Sequence, residues 1–214
     1  MTIRLEKMIP LPMLEQDTSG TEVWEVDTVL FDQGSSYIIE APSGRGKTSL
    51  LSIIYGIRKD YRGSVYLDNI NIADFNWKQW SVLRKDKLSF IFQGLELFDS
   101  LTALENIQLK NSITKHLALD RVMELADRLG IYAFLQKKAG ILSFGQQQRV
   151  SILRALSQPF DYLLADECFS HIDHENSLKA YQVIREVCEE QHAGLILTSL
   201  NSTNLPEVKV RMRL

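Results

Sequence analysis

Residues 41–48 read Ala-Pro-Ser-Gly-Arg-Gly-Lys-Thr, a run whose residue types suit a cluster of anionic oxygens. Gly44 and Gly46 let backbone N–H groups turn inward around phosphate oxygens. Lys47 places a point charge near β and γ phosphates, and Thr48 offers a hydroxyl to Mg²⁺. Ser43, Arg45 and Ser49 complete the candidate contacts to the cofactor. The common form of this pattern opens on glycine. Here Ala41 stands in that place, which requires its φ to stay negative, and Pro42 pushes it toward extended backbone. A glycine-rich turn capping a helix would look similar. The apolar strand before the run and the helix after it favour nucleotide binding.

Two further stretches carry groups of the same chemistry. In Phe-Asp-Tyr-Leu-Leu-Ala-Asp-Glu, 160–167, an apolar strand ends in two acids. Such strand ends face the ligand crevice of an open α/β sheet. Asp166 suits Mg²⁺, and Glu167 suits a base that polarises an attacking water. Two solvated acids at a strand end are the plainer reading, and the cradle weighs against it. In Leu-Ser-Phe-Gly-Gln-Gln-Gln-Arg, 142–149, Ser143 and Gln146 form a Ser-x-x-Gln capping box. The Ser143 hydroxyl, an unhindered Gly145 N–H and the helix dipole also make an anion site.

The chain that must position these groups has 214 residues, 45% hydrophobic and 24% charged, as expected of one folded domain. A formal charge of -3 gives no basic excess, so nucleic acid is not expected as a partner. Cys168 and Cys188 form no Cys-x-x-Cys pair, which fits a reduced, intracellular setting. The N-terminus lacks the apolar core of a secretory signal, and no apolar run approaches the ~20 residues that span a bilayer. A membrane role would therefore run through another chain.

Strands alternate with helices, which predicts α/β architecture with a mainly parallel sheet. Leu50, Leu51, Ile53, Ile54 and Ile57 fit one helical face behind the cradle. Residues 63–72 alternate like a half-exposed strand with a turn at Asp68-Asn69, and 208–214 alternate strictly. From Leu95 to about Gly140 the pattern is helical and interrupts the rhythm, like an inserted subdomain. The expected organisation is one domain over 1–214: a core formed by 1–93 and 157–214 with an N-terminal antiparallel β part, and a helical subdomain over 94–156.

Taken together, the cradle, the acidic strand end and Leu-Ser-Phe-Gly-Gln resemble the ATP-binding cassette family, the motor subunits of ABC transporters, over nearly the whole chain. Phe144 stands where the family signature has its first glycine. Phe-Ile-Phe-Gln resembles the Q-loop, which implies that Gln93 lies near Mg²⁺ and the attacking water. Asp-Glu-Cys-Phe-Ser-His-Ile-Asp resembles the Walker B and D-loop stretch, with Asp173 as the D-loop aspartate. The resemblance implies a P-loop NTPase fold and an ATP hydrolase that dimerises head to tail. Lys47 and the cradle of one copy would hold ATP, Thr48, Gln93 and Asp166 would hold Mg²⁺, and Ser143, Gly145 and Gln146 of the other copy would close the site. A homodimer or a paired cassette would then power an integral permease-type subunit from the cytoplasmic face of the cell membrane.

Three departures from the family pattern matter. Ser199 stands where the family has a histidine that contacts the γ phosphate, which implies slow hydrolysis or a substitute donor such as His171. The stretch after the first strand has no aromatic to stack adenine, and Trp24 is expected to pack in the antiparallel sheet. Phe144 adds bulk that would face either the neighbouring subunit or the helical subdomain. Leu95, Leu97, Phe98 and Leu101 are expected to line a groove for the membrane partner, and Ser-Leu-Thr-Ala-Leu-Glu-Asn-Ile resembles cassettes of lipoprotein release, peptide efflux and cell division. A low-turnover, ATP-gated regulatory module is the rival reading. Repair or translation cassettes fit less well, lacking here their long coiled-coil insertion, and no Asn-Lys-x-Asp motif marks a GTPase.

Overall fold

The computed structural model describes residues 1–200, 205 and 208–214. Strands β1 (Ile3–Pro10), β2 (Thr28–Phe31), β4 (Tyr61–Leu67) and β5 (Ile70–Asn71) form an antiparallel sheet in the order β2-β1-β4-β5. Strands β3 (Ser36–Glu40), β6 (Leu88–Ile91), β7 (Tyr162–Asp166), β8 (Gly194–Ser199) and β9 (Val210–Arg213) form a parallel sheet in the order β6-β7-β8-β3-β9. The helices are α1 (Lys47–Ile54), α2 (Trp77–Asp86), α3 (Ala103–Thr114), α4 (Leu119–Arg128), α5 (Phe144–Leu156) and α6 (His174–Glu190). This is the α/β class read from the sequence, with its parallel core and antiparallel β part.

Why the parallel strands read as unbroken apolar runs is visible in their pleat. Alternate side chains leave opposite faces of a strand, and both faces here are covered. Ile38, Leu163 and Leu195 join one core with α5 and α6, whereas Ile39, Leu164 and Ile196 join another with α1 and the antiparallel sheet. The strand ends that carry Glu40, Asp166 and Ser199 therefore sit at one edge of a sheet held rigid from two sides. In the antiparallel sheet the β1–β4 register shifts between Glu6 and Ile9. Gly63 sits opposite at φ +82°, where a Cβ would come 2.3 Å from the Lys7 carbonyl oxygen, so only glycine fits.

Several local expectations need correction. The helical pattern of 95–140 resolves into α3, α4 and short 3₁₀ turns at Tyr132–Phe134 and Ala139–Ile141, with no helix over 95–101. Ile57 lies beyond α1 and is exposed. Helix α2 goes unannounced by hydrophobic spacing, because it buries only Trp80. Its start was legible: Asn76 and Gln79 form a complete capping box. Strand β9 is an edge strand: Val210, Arg211 and Arg213 are exposed, while Met212 packs against the core and Leu214, just beyond it, is buried. Helix α4 is fastened to α6 by Arg121 and Arg128, which both reach Glu186. Those guanidinium groups, Arg128 foremost, hold the Glu186 carboxyl down at about 2.

Candidate functional site

Strand β3 delivers the chain at Glu40 to a tight loop, and α1 starts at Lys47 with Gly46 as N-cap. Gly44 and Gly46 take φ values of +79° and +95°. A Cβ at Gly46 would also stand 3.2 Å from Met13 Sδ and from a Trp24 ring carbon. Ala41 keeps a negative φ, as its replacement of glycine requires, and is buried. Lys47 is only 4% exposed, and its Nζ donates to the carbonyls of Ala41 at 2.6 Å and Pro42 at 2.9 Å. The ammonium is thus aimed along the inside of the loop before any ligand arrives.

Opposite it stands Glu167, one residue past the end of β7. Glu167 Oε1 lies 3.1 Å from Lys47 Nζ, and Oε2 accepts from Gln93 Nε2 at 3.1 Å. The residue takes the left-handed conformation, φ +47°, which costs an L-residue about 1–2 kcal/mol. Thr198 on β8 helps to hold it there. Its Oγ1 accepts from the Glu167 N–H at 3.1 Å and donates to Asp166 Oδ1 at 2.7 Å. Asp166 is 1% exposed. Burial holds its carboxyl above the usual carboxylate range, against hydrogen bonds from Thr48 and Thr198 that pull it down.

Lys47, Thr48, Asp166 and Glu167 are therefore brought together, with Gln93 bonded to Glu167. Ser199, at the end of β8, lines a small hollow with Glu167 and Ser170. Ser49 is drawn aside: its hydroxyl accepts from Arg58 at 2.6 Å. The side chain of Arg45 makes no hydrogen bond among those of the described residues, but its carbonyl accepts from Trp24 Nε1 at 3.4 Å. Trp24 shares a core with the antiparallel sheet as expected, yet it belongs to a turn before β2 and is pressed against the cradle. At 6% exposure it offers no free ring face to a base.

The second anion-binding candidate lies on α5. Ser143 caps the helix, its Oγ accepting from the Gln146 N–H at 3.3 Å, and Gln146 Oε1 accepts from the Ser143 N–H at 3.0 Å. Among the described residues no hydrogen bond joins this helix start to the cradle at 41–48. Phe144 is 45% exposed and rests edge-on against the His171 ring, centroids 4.3 Å apart. His171 Nδ1 also pairs with Ser170 Oγ at 2.8 Å, so this ring serves its own chain's signature helix. Asp173 caps α6, accepting from the Asn176 N–H at 3.0 Å. That bond holds its carboxyl below the usual range.

Sequence reasoning passed over Thr198, Gln148 and Arg154. Gln148 is buried on α5 against the 167–171 turn, and Arg154 donates to the Leu95 carbonyl at 2.6 Å. Thr198 left a signal, a polar residue inside an apolar strand.

Among the described residues no three His, Cys, Asp or Glu side chains converge as a self-sufficient metal cage. A buried carboxylate beside a hydroxyl and an amide is an all-oxygen set. It fits a hard cation that takes its other ligands from phosphate and water.

The ABC transporter family model matches residues 27–170, well over half the chain. The chain belongs to the ABC transporter family. Its relatives in the ABC transporter family include an uncharacterized ATP-binding protein of Mycobacterium bovis, 31% identical over 191 residues and 87% of this chain. The chain spans 58% of that relative's length. The lipoprotein-releasing system ATP-binding protein LolD of Legionella pneumophila is 30% identical over 85% of this chain and 82% of its own. Among solved ABC transporter structures, the dimeric cassette of Methanocaldococcus jannaschii superposes with a TM-score of 0.80 at 27% identity, over 99% of this chain and 94% of that one. A dimeric post-hydrolysis state of the same cassette, bound to ADP and Pi, gives 0.75 at 28% identity over 93% and 88%.

Proposed function

We propose that this ABC transporter family member binds and hydrolyses ATP at sites shared between two copies, and that it powers a separate integral membrane protein. The observation that carries the reading is the convergence of Lys47, Gln93, Asp166 and Glu167 beyond one strand edge, while a second capped helix start makes no hydrogen bond to the cradle among the described residues. Lys47 and the loop amides of Ser43, Gly44, Arg45 and Gly46 bind the phosphates. Glu167 takes a proton from the attacking water, and Gln93 holds that carboxylate in place. Thr48, Gln93 and Asp166 would hold Mg²⁺, which when bound would neutralise charge on the phosphate oxygens. Ser143 and Gly145 of the opposite copy close the site, with Asp173 of the D-loop-like stretch contributing to it. The dimeric relative with ADP and Pi supports both the shared site and the hydrolysis.

Residues 94–156 act as the helical subdomain that carries α5 to the partner copy. The Ser199 side chain is shorter than a histidine and does not titrate near neutrality, so turnover is slow; the same residue favours the regulatory reading in which binding outweighs hydrolysis. No helix of the described residues is long and apolar enough to cross a membrane. The chain would lie on the cytoplasmic face against its membrane partner. Of the four residues expected to face that partner, Phe98 is 57% exposed, while Leu95 is buried and Leu97 packs on the core. A hollow of about 340 Å³ between α2 and α3 adds exposed Trp77 and Ile113. Phe98→Asp is expected to abolish co-purification of an integral membrane protein from detergent extracts, with thermal stability intact; unchanged recovery would remove this surface from the proposal.

The shared site is tested by Ser143→Asp. Aspartate caps helices as well as serine does, so folding and melting temperature should hold. A carboxylate about 4 Å from a phosphate oxygen at an effective dielectric of about 20 costs about 4 kcal/mol, roughly a thousandfold in association. ATP-dependent dimerisation, read by light scattering, should disappear while ATP binding to the single chain persists. If the variant dimerises like the native chain, Ser143 is a helix cap and nothing more.

A further inference from the structure

Helix α5 has a buried amide that neither caps it nor faces a ligand. Gln148 is 1% exposed. Its Nε2 donates to the Glu167 carbonyl at 3.3 Å, and its Oε1 accepts from the His171 N–H at 3.2 Å. The opposite amide orientation would set an NH₂ against an N–H and an oxygen against a carbonyl, so the bonding is directional. Gly145, one turn earlier on the same helix face, lets the turn approach. A Cβ there would stand 2.8 Å from the His171 carbonyl oxygen.

These contacts bear on Glu167, the non-glycine residue of the site in left-handed backbone. Glu167 is held at its N–H by Thr198 and at its carbonyl by Gln148. With both ends of the residue fixed, its carboxylate has a fixed origin beside Lys47 and Gln93. The far end of the helix reaches the loop after Gln93 in the same way, through Arg154 and the Leu95 carbonyl. The helix start, meanwhile, leaves the Ser143 side chain exposed.

Resting on the shared-site reading above, we propose that Gln148 is a positioning residue that couples the two sites of the dimer. The signature helix of one copy closes on its partner's ATP. Through Gln148, the same helix sets the backbone of the Glu167 that acts on its own ATP. A shift of α5 on engaging the partner's phosphate moves the Glu167 carbonyl, and with it the base. Gln148 touches neither nucleotide.

The test compares Gln148→Leu, which loses both bonds, with Gln148→Glu, which keeps an acceptor for the His171 N–H but loses the donor to Glu167. Both should lower kcat by about tenfold or more, since small misplacements of a reacting group are costly. ATP affinity of the single chain should stay within about twofold, and the Hill coefficient for ATP should fall toward one. A folded variant with native kcat and Hill coefficient overturns the proposal, as does a parallel loss of affinity and kcat, the mark of general damage. Should neither variant fold, hydrogen exchange on the Glu167→Gln chain decides. ATP must slow exchange at the His171 amide together with the amides of 145–147, and an unaffected His171 amide overturns the coupling. A native chain that neither hydrolyses ATP nor dimerises with it would instead sink the shared-site reading itself.

Discussion

Glu167→Gln is expected to abolish multiple-turnover ATP hydrolysis and to leave the chain as an ATP-bound dimer. The argument is local. Glutamine keeps the length of glutamate and can still meet the Gln93 side chain, but it cannot take a proton from water. General-base catalysis contributes roughly 10²–10⁴-fold, and that is the expected loss in phosphate release. Binding should improve rather than weaken. The Glu167 carboxylate lies 3.1 Å from Lys47 Nζ, so a phosphate bound by the loop would compete with it for the same ammonium. A neutral amide gives that cation up more readily and repels the γ phosphate less. Light scattering with ATP and Mg²⁺ should show a long-lived dimer that the native chain forms only transiently. Native-like phosphate release from the variant would move the base elsewhere and leave the regulatory reading standing.

Much of this site was legible in the amino-acid sequence. The cradle was readable because its demands are on backbone conformation. Only glycine accepts the left-handed turns at positions 44 and 46, and a Lys-Thr pair after them has few other uses. The parallel sheet was readable because both faces are covered, which turns strands such as 162–166 into apolar runs. What hid was of two kinds. Helix α2 buries a single tryptophan, so it has no hydrophobic stripe, and only its capping box announces it. Gln148 and Thr198 act through backbone groups of residues far along the chain, and spacing carries no trace of such contacts. Trp24 shows a third case. Its size marked it for burial, but that it would close the outer side of the cradle follows only from the fold.

Lys47→Ala is expected to remove nucleotide binding altogether within the usual concentration range. The native ammonium is almost fully buried, held by the Ala41 and Pro42 carbonyls and by Glu167. It is therefore oriented in advance, and little entropy is lost when a phosphate replaces the carboxylate. Truncating one partner of such a buried charge pair costs about 2–5 kcal/mol, at least roughly 30-fold in affinity. Arginine is no substitute. Its planar fork is wider than a slot lined by two carbonyls 2.6 and 2.9 Å from the native nitrogen, so Lys47→Arg should fail as well. The alanine variant also strands Glu167, which is left with Gln93 alone and a neighbouring Asp166 carboxyl. The ligand-free protein should lose thermal stability on that account, and adding Gln in place of Glu167 should restore it. Calorimetric titration with ATP and thermal melts of the single and double variants separate the two effects. Native-like ATP affinity in Lys47→Ala would place the phosphates outside this loop, and the reading of the whole strand edge would go with them.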